Sequence, residues 1–203
     1  MVRWRAAHTG EPMTHATRPP PEQAEPAWVD DVLRFWFEEL SPEDWFKGDD
    51  ATDARIRDRF LALHAALVEK NGDGAATPRS MLAMVIVLDQ FSRNLYRGDP
   101  RAYAADPIAR RVARSAIEQG FVAAMTPAQR MFLSLPFQHS EDVQDQGLSV
   151  DLSTAIGNED WTSYAVAHKA TIDRFGRFPH RNAILGRSST VEEVEFLKEG
   201  AGR

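Results

Sequence analysis

The sequence predicts an all-α fold, with about eight helices that pack as antiparallel hairpins into one compact domain. Apolar residues recur at helical spacing, as in Ile56, Phe60, Leu63 and Leu67. No alternating stretch of useful length suggests a strand. Capping side chains followed by proline also precede apolar stretches, at Thr77-Pro78, Asp106-Pro107 and Thr126-Pro127.

Start and stop signals set the order of the helices. Acidic side chains follow the starts at Ser140, Asn158 and Thr190, where a helix dipole favours negative charge. Glycines mark the ends of other helices. Ser140 is therefore expected to cap the helix that follows it. The predicted helices span 28–39, 51–70, 78–94, 107–119, 127–138, 141–156, 159–175 and 190–199.

Composition limits the classes of function. The 203 residues include 24 basic and 30 acidic side chains, for a net charge of −6, and 43% are hydrophobic. This balance argues against nucleic-acid binding by bulk charge. The absence of cysteine excludes disulfides, thiolate metal sites and a cysteine nucleophile. With no apolar run long enough to span a bilayer and no apolar segment after Met1, we expect a soluble cytoplasmic protein without a membrane partner.

Residues 1–27 differ in composition from the rest of the chain, because they hold five of its twelve prolines. Such a segment cannot bury enough apolar surface to offset the entropy lost on ordering. The sequence therefore predicts a flexible tail over 1–27 and a single all-α domain over 28–203.

The first candidate site follows the run Met81–Leu88, which is apolar on all sides and is expected to lie in the middle of the domain. Asp89 comes directly after this run, so its carboxylate is expected to be desolvated and to need a partner. Arg93 lies four residues on, on the same helix face, and Asn94 follows it. The pair is either a structural tie at a helix end or part of a ligand site.

The second candidate is His139, which shares an apolar stripe with Phe132 and Leu135 and should point inward. Glu141 and Asp142 are accounted for by capping of the next helix, whereas His139 is not. His168 lies on another helical stripe and is expected to face the core, where a satisfied histidine is the commoner case.

The third candidate is a cationic loop over residues 174–187, which holds four arginines and one histidine but no acid. Arginine binds carboxylate or phosphate through two parallel hydrogen bonds, so the loop is a candidate anion site. Alternatively, its arginines pair with acids such as Asp89, Glu141 or Asp142 and hold the loop in place. Both interpretations bring the three candidate segments into contact.

Several standard chemistries are missing from the sequence. There is no phosphate-binding G-x-x-x-x-G-K-S/T, no G-x-G-x-x-G and no G-x-S-x-G. Inward histidines with neighbouring acids could hold a metal ion, but no recognised ligand spacing such as H-E-x-x-H is present. We predict no metal and no cofactor.

Four segments together resemble a known family, the domain of unknown function 924. They are V-L-R-F-W-F-E-E-L-S-P-E-D-W-F (32–46), L-D-Q-F-S-R-N-L-Y-R-G (88–98), L-P-F-Q-H-S-E-D (135–142) and R-F-G-R-F-P-H-R-N-A-I-L-G-R (174–187). The resemblance implies an all-helical fold similar to tetratricopeptide-repeat arrangements. It implies no activity, because none is established for the family. Ser92 stands at a position where proline is common in the family. This departure affects the shape of the backbone rather than the charge.

Two functions remain open. The first is an enclosed site for a small anionic ligand, with or without catalysis. In that interpretation Arg93 and Arg181 hold the anion. His139 or His180 exchanges a proton, and Asp89 or Glu141 orients that imidazole. The second is a helical-repeat scaffold that binds a partner protein in a groove. The candidate catalytic residues are Asp89, His139, Glu141 and His180, and the candidate ligand-binding residues are Arg93, Asn94, His168, Arg177, Arg181 and Asn182.

Overall fold

The computed structural model describes residues 25–200, and within that range the chain is helical, which confirms the predicted all-α fold. Short 3-10 turns at Pro100–Tyr103, Phe121–Ala124 and Pro179–Arg181 lie between the main helices. The α-helices are α1 (Ala27–Arg34), α2 (Asp50–Glu69), α3 (Pro78–Val85), α4 (Ser92–Leu95), α5 (Asp106–Glu118), α6 (Pro127–Gln138), α7 (Val143–Ile156), α8 (Glu159–Phe175) and α9 (Val191–Lys198).

Two of the predicted helices contain a wider π-helical turn. The predicted helix 28–39 is α1 followed by a π turn over Phe35–Glu39. The predicted helix 78–94 is α3, then a π turn over Ile86–Phe91, then α4. Periodicity did not reveal these turns, because every residue of the second one is buried and no polar face marks the change of winding. Such turns are frequent at functional sites, and Asp89 lies in this one.

The centre of the domain is α3 with its π turn, as the apolar run predicted. Residues 83–89 of this segment are all 0% exposed. The segment packs against α1, α5 and α6. Aromatic rings fill the space beside it: Phe91 packs on Phe35 and Trp36, and Trp36 packs edge-on against Phe132 at 5.3 Å between ring centroids. The candidate segment at Asp89 is therefore fixed to the best-packed part of the molecule.

The second half of the chain forms a layer in which α7 packs against both α6 and α8. Consecutive helices pack on one another in the manner of stacked hairpins, an arrangement consistent with the tetratricopeptide-like fold. Gly157 and Gly176 end α7 and α8 in the left-handed conformation that glycine adopts without steric cost.

The predicted caps are correct at Thr77 and Thr126, which both form capping boxes. Two others are wrong. Asp106 does not cap α5, because Ala105 occupies that position and the Asp106 carboxylate is taken by Arg93. Ser140 does not cap α7, because the carboxylate of Asp142 accepts the first free amides of the helix.

At the amino-terminal edge, α1 begins at Ala27, one residue before the predicted start. Glu25 already contacts the domain, since its carboxylate accepts hydrogen bonds from Arg79 and Thr77. The remainder of the predicted tail, residues 1–24, lies outside the described residues. Among residues 25–200, no helix has the length and apolar character needed to cross a membrane.

Candidate functional site

An open cleft of about 500 Å³ lies where the three candidate segments meet. One side is formed by the 3-10 turn before α5 and the start of α5. The opposite side is formed by the connection between α6 and α7 and by the cationic loop. The lining residues are Tyr103, Asp106, Pro107, Arg110, His139, Ser140, Glu141, Asp142, Arg181 and Leu185.

A carboxylate and an imidazole form a pair at the inner wall of the cleft. Nδ1 of His139 lies 2.9 Å and 3.0 Å from the two carboxylate oxygens of Asp89. Asp89 is 0% exposed, whereas His139 lines the cleft. An ionised carboxylate can only accept, so Nδ1 carries the proton and donates it to Asp89. Nε2 of His139, the other ring nitrogen, has no hydrogen-bond partner within residues 25–200.

The surroundings of Asp89 keep it ionised. Burial alone would raise its pKa, but the positive charge of Arg93 and the hydrogen bonds from His139 and Gln90 outweigh burial and hold the pKa of Asp89 well below its usual range. The Gln90 amide donates to Asp89 at 2.5 Å. The π turn places these neighbouring side chains on the same carboxylate.

Arg93 joins Asp89 to a second buried carboxylate. Its guanidinium donates two hydrogen bonds to Asp106, at 2.7 Å and 3.0 Å, and lies 3.3 Å from Asp89. It also donates to the backbone carbonyls of Asp89 and Ala102. Burial opposes the charge of Arg93, but Asp89 and Asp106 raise its pKa. Arg93, predicted to bind a ligand, is thus fully occupied as a structural tie between α4 and α5.

The backbone beside His139 is fixed by a buried glutamine. The side-chain amide of Gln146, which is 0% exposed, donates to the carbonyls of Gln138 and Ser140 at 2.7 Å each. These carbonyls flank His139 in the chain. Because Gln146 lies on α7, it ties the connection between α6 and α7 to the following helix and holds the imidazole at the cleft wall.

Arg181 is buried beside the cleft without a matching acceptor. It is 7% exposed, and its guanidinium carbon lies 4.6 Å and 4.5 Å from the ring centroids of Tyr103 and Phe178. The nearest carboxylate oxygen, on Asp106, is 4.0 Å away. The side chain makes no hydrogen bond within the described part of the chain, and its Nε is buried. Burial and the charge of Arg93 lower the pKa of Arg181.

Glu141 anchors the cationic loop rather than the dipole of α7. Its carboxylate accepts two hydrogen bonds from Arg187, at 2.7 Å and 2.9 Å, and one from the backbone amide of Phe178 at 2.8 Å. Burial opposes ionisation, but the hydrogen bonds from Arg187 and Phe178 lower the pKa of Glu141. Glu141, a predicted catalytic residue, thus lines the cleft while its carboxylate is bound by Arg187 and Phe178.

Arg177 and Asn182 also serve the loop. Arg177 donates two hydrogen bonds to Glu193 of α9, at 2.6 Å and 2.9 Å, and these hydrogen bonds lower the pKa of Glu193 to about 2. Asn182 is buried, donates to Ser189 and Glu193 and accepts from Arg187. Neither lines the cleft, although both were predicted to bind a ligand.

His168 and His180 flank the ring of Phe178, at centroid distances of 5.5 Å and 5.6 Å. Burial lowers the pKa of each to about 4, so both imidazoles are neutral at pH 7. His168 donates from Nδ1 to the carbonyl of Tyr164. The predicted core stripe is only partly correct, because Tyr164 is 62% exposed and His168 is half-buried behind His139.

Comparison with known proteins identifies the family. A family model described as a bacterial protein of unknown function (DUF924) matches residues 32–201. This chain belongs to the DUF924 family. No curated protein matches the sequence. A solved structure, of a protein of unknown function (ATU0120) from Agrobacterium tumefaciens, is 40% identical and has a TM-score of 0.82, over 86% of this chain and 98% of that chain.

Asn94 is a further candidate of this DUF924 protein that does not line the cleft. Asn94 donates to Asp53 at 2.8 Å, and Arg97 donates two further hydrogen bonds to the same carboxylate. Asp53 belongs to α2, so Asn94 ties α4 to α2. Among residues 25–200, no three histidine, aspartate or glutamate side chains are arranged to hold a metal ion.

Sequence reasoning missed three residues that build the DUF924 cleft. Asp106 resembled a helix cap, because aspartate before proline is a common start signal. Tyr103 lies in a 3-10 turn that is too short to show periodicity. Gln146 lies on α7, whose polar and apolar residues are hardly separated onto different faces of the helix. The sequence pattern therefore did not predict that Gln146 is buried.

Proposed function

We propose that the cleft binds a small anionic ligand, that Arg181 is its main anchor and that the Asp89–His139 pair exchanges a proton with the ligand. The proposal depends mainly on the environment of Arg181. Its guanidinium is almost fully buried and lies against two aromatic rings, and it has no hydrogen-bond acceptor among the described residues. A buried charged donor without an acceptor is costly, and a bound anion would supply the missing acceptor.

The other charged groups near the cleft support the same assignment. Arg93 and Arg187 already make two hydrogen bonds each to Asp106 and Glu141. Arg181 differs from both, because Asp106 approaches it only to 4.0 Å. Arg110, which also lines the cleft, lies 3.4 Å from Asp145. Among these four arginines, Arg181 is the one most distant from a carboxylate, so its donors are the most available to a ligand.

The geometry of His139 suits proton exchange. Because Nδ1 is held by Asp89, the proton is fixed on that nitrogen and Nε2 keeps its lone pair. A buried carboxylate on the far side of an imidazole orients the ring and stabilises its protonated form. Nε2 of neutral His139 could therefore accept a proton from a ligand in the cleft, and protonated His139 could donate one to it.

The position of these groups favours a ligand site over the alternative of a protein-binding scaffold. A scaffold distributes its specificity residues along an exposed concave face. Here Arg181, His139 and Asp106 converge on one cleft, and each is buried or half-buried. Small-molecule sites have this character, with a few polar groups converging in a concave space.

The test is a thermal-shift screen of the full-length protein against anionic metabolites, at constant ionic strength. Any ligand of the cleft should raise the melting temperature of the wild type but not of Arg181→Met. Arg174→Met is the matched control, because Arg174 is an exposed arginine of α8 that pairs with Glu192 and does not line the cleft. Stabilisation that survives in Arg181→Met, or is lost equally in Arg174→Met, would place the anion elsewhere.

A further inference from the structure

We infer that the cleft selects a carboxylate carried by a singly charged organic acid, and that it discriminates against phosphate. This inference rests on the proposed function and specifies the ligand class. It follows from the way Arg181 is presented and from the balance of charge around it.

The presentation of Arg181 suits a planar acceptor. The rings of Tyr103 and Phe178 lie 4.6 Å and 4.5 Å from its central carbon, and its N–H edge makes no hydrogen bond among the described residues. Two parallel hydrogen bonds from that edge match the two oxygens of a carboxylate. Two rings this close to the guanidinium leave less room for the additional oxygens of a tetrahedral phosphate than for a planar carboxylate.

The charges next to Arg181 are already balanced. Arg93 and Arg181 face Asp89 and Asp106, so two positive charges meet two negative ones. Arg181 therefore lacks an acceptor for its hydrogen bonds, but the cluster has no excess positive charge. A single delocalised negative charge can be accepted here, whereas a second negative charge would face Asp106 at close range.

The remaining charged groups around the cleft add no net positive charge. Arg110, which lines the cleft, lies 3.4 Å from Asp145, a carboxylate that also accepts a hydrogen bond from Arg114. Glu141 is neutralised by Arg187, and Asp142 stands on the exposed rim of the cleft. The nearby imidazoles of His168 and His180 are neutral at pH 7, since burial lowers the pKa of each to about 4. Phosphate monoesters carry close to two charges at this pH, because their second pKa is about 6, and inorganic phosphate carries more than one. Phosphate sites usually supply several cationic or backbone N–H donors, whereas this cleft is lined by two arginines, of which Arg110 pairs with Asp145.

The other lining groups indicate the body of the ligand. Tyr103, Pro107 and Leu185 give the cleft apolar surface beside Arg181. The volume of about 500 Å³ lies within the range of small-molecule sites. A carboxylate bound to Arg181 therefore places an uncharged organic body in the cleft that His139 also lines.

The experiment is an NMR titration of the Arg181 Nε–H signal in the full-length protein. Two aromatic rings on this guanidinium shift the signal away from those of exposed arginines, and Arg181→Lys assigns it by its disappearance. The probes are sodium acetate, sodium benzoate and sodium phosphate at pH 7, with sodium chloride at matched ionic strength. We expect both carboxylates to move the signal saturably, with affinities at least about tenfold tighter than that of phosphate.

The outcomes separate this inference from the proposed function. Binding of acetate and benzoate that is lost in Arg181→Lys and kept in the control Arg174→Lys supports both. Phosphate that binds as tightly as the carboxylates overturns the selectivity but leaves the anion site standing. A signal that none of the three anions moves beyond the sodium chloride control overturns the carboxylate site and counts against the proposed function as well.

Discussion

Nδ1 of His139 donates to the carboxylate of Asp89 across 50 positions of sequence, at 2.9 Å and 3.0 Å from its two oxygens. The carboxylate lies in the π turn at the centre of the domain, and the imidazole lies at the end of α6. The pair therefore joins the fully buried centre of the domain to the wall of the cleft. Its orientation depends on packing and on the fixed backbone beside His139.

Replacing Asp89 should destabilise the fold. Asp89→Asn keeps the shape of the side chain but removes the buried negative charge that faces Arg93 and His139. We expect a loss of about 3 kcal/mol in the free energy of unfolding, because a buried charge then loses its partner. Urea denaturation at pH 7 measures it. Asp173→Asn, which removes the exposed partner of Lys169, should change stability by less than about 0.5 kcal/mol.

The loss of stability in Asp89→Asn should depend on pH. Because the pKa of Asp89 is lower in the folded protein than in the unfolded chain, its stabilisation is complete above the unfolded value of about 3.9 and is lost as the pH falls through the folded value. The stability difference between the wild type and Asp89→Asn should therefore narrow below about pH 4. A difference that stays constant there would mean that folding does not lower the pKa of Asp89.

The same substitution should change the stability of the protein much more at Arg93 than at Arg181. Arg93→Met leaves the buried carboxylates of Asp89 and Asp106 without their main partner, so we expect a loss of about 3–5 kcal/mol. Arg181→Met removes a charge that makes no hydrogen bond within residues 25–200, and methionine still packs on Tyr103 and Phe178. Its stability should change by less than about 1 kcal/mol. Equal losses in the two variants by chemical denaturation would make Arg181 a structural anchor.

Acid should destabilise the protein through His168 and His180. Burial lowers the pKa of both from 6.5 to about 4, so the folded protein holds them neutral while the unfolded chain takes up protons. Their stabilisation is present above pH 6.5 and is lost as the pH falls toward 4. The double variant His168→Gln/His180→Gln should lose less stability than the wild type across this interval, measured by urea denaturation. Identical pH profiles would show that both imidazoles charge freely in the folded state.

Loss of the Glu141 carboxylate should loosen the cationic loop. Glu141→Gln weakens the two hydrogen bonds from Arg187 and the one from the Phe178 amide, so we expect a loss of about 1–2 kcal/mol. Limited proteolysis should show faster cleavage over residues 176–189 than in the wild type. Glu192→Gln removes an exposed carboxylate that pairs with Arg174 and should leave the cleavage pattern unchanged. Matching patterns for the two variants would assign the loop's order to other contacts.

Helix positions could be predicted from the sequence because their signals are local. Thr126 and Pro127 start α6 at the predicted residue, and α8 follows its asparagine cap and glycine end as predicted. The π turn at Ile86–Phe91 could not be predicted, since local spacing does not distinguish it from an α-helix when every side chain is apolar or buried. The inward direction of His139 followed from its stripe.

The partners within the site needed the tertiary structure. The sequence left Asp89 and Glu141 as alternatives for orienting an imidazole, and the fold brings Asp89 to His139 while Arg187 takes Glu141. The role of Asp106 could not be predicted, because its carboxylate accepts hydrogen bonds from Arg93, thirteen positions upstream, and does not cap its own helix. Such choices depend on which helices become neighbours, and helical periodicity carries no information on that.

The contacts between the cationic loop and α9 have a consequence for the order in which the site forms during synthesis. Glu193 holds Arg177 and Asn182, and these residues bracket Arg181 in the chain. A nascent chain that has not yet exposed α9 outside the ribosome can already pack α3, α5 and α6 and form the Asp89–His139 pair. Arg181 still lacks the contacts that set its loop. The cleft therefore takes its full shape only after the core has formed and α9 has left the ribosome.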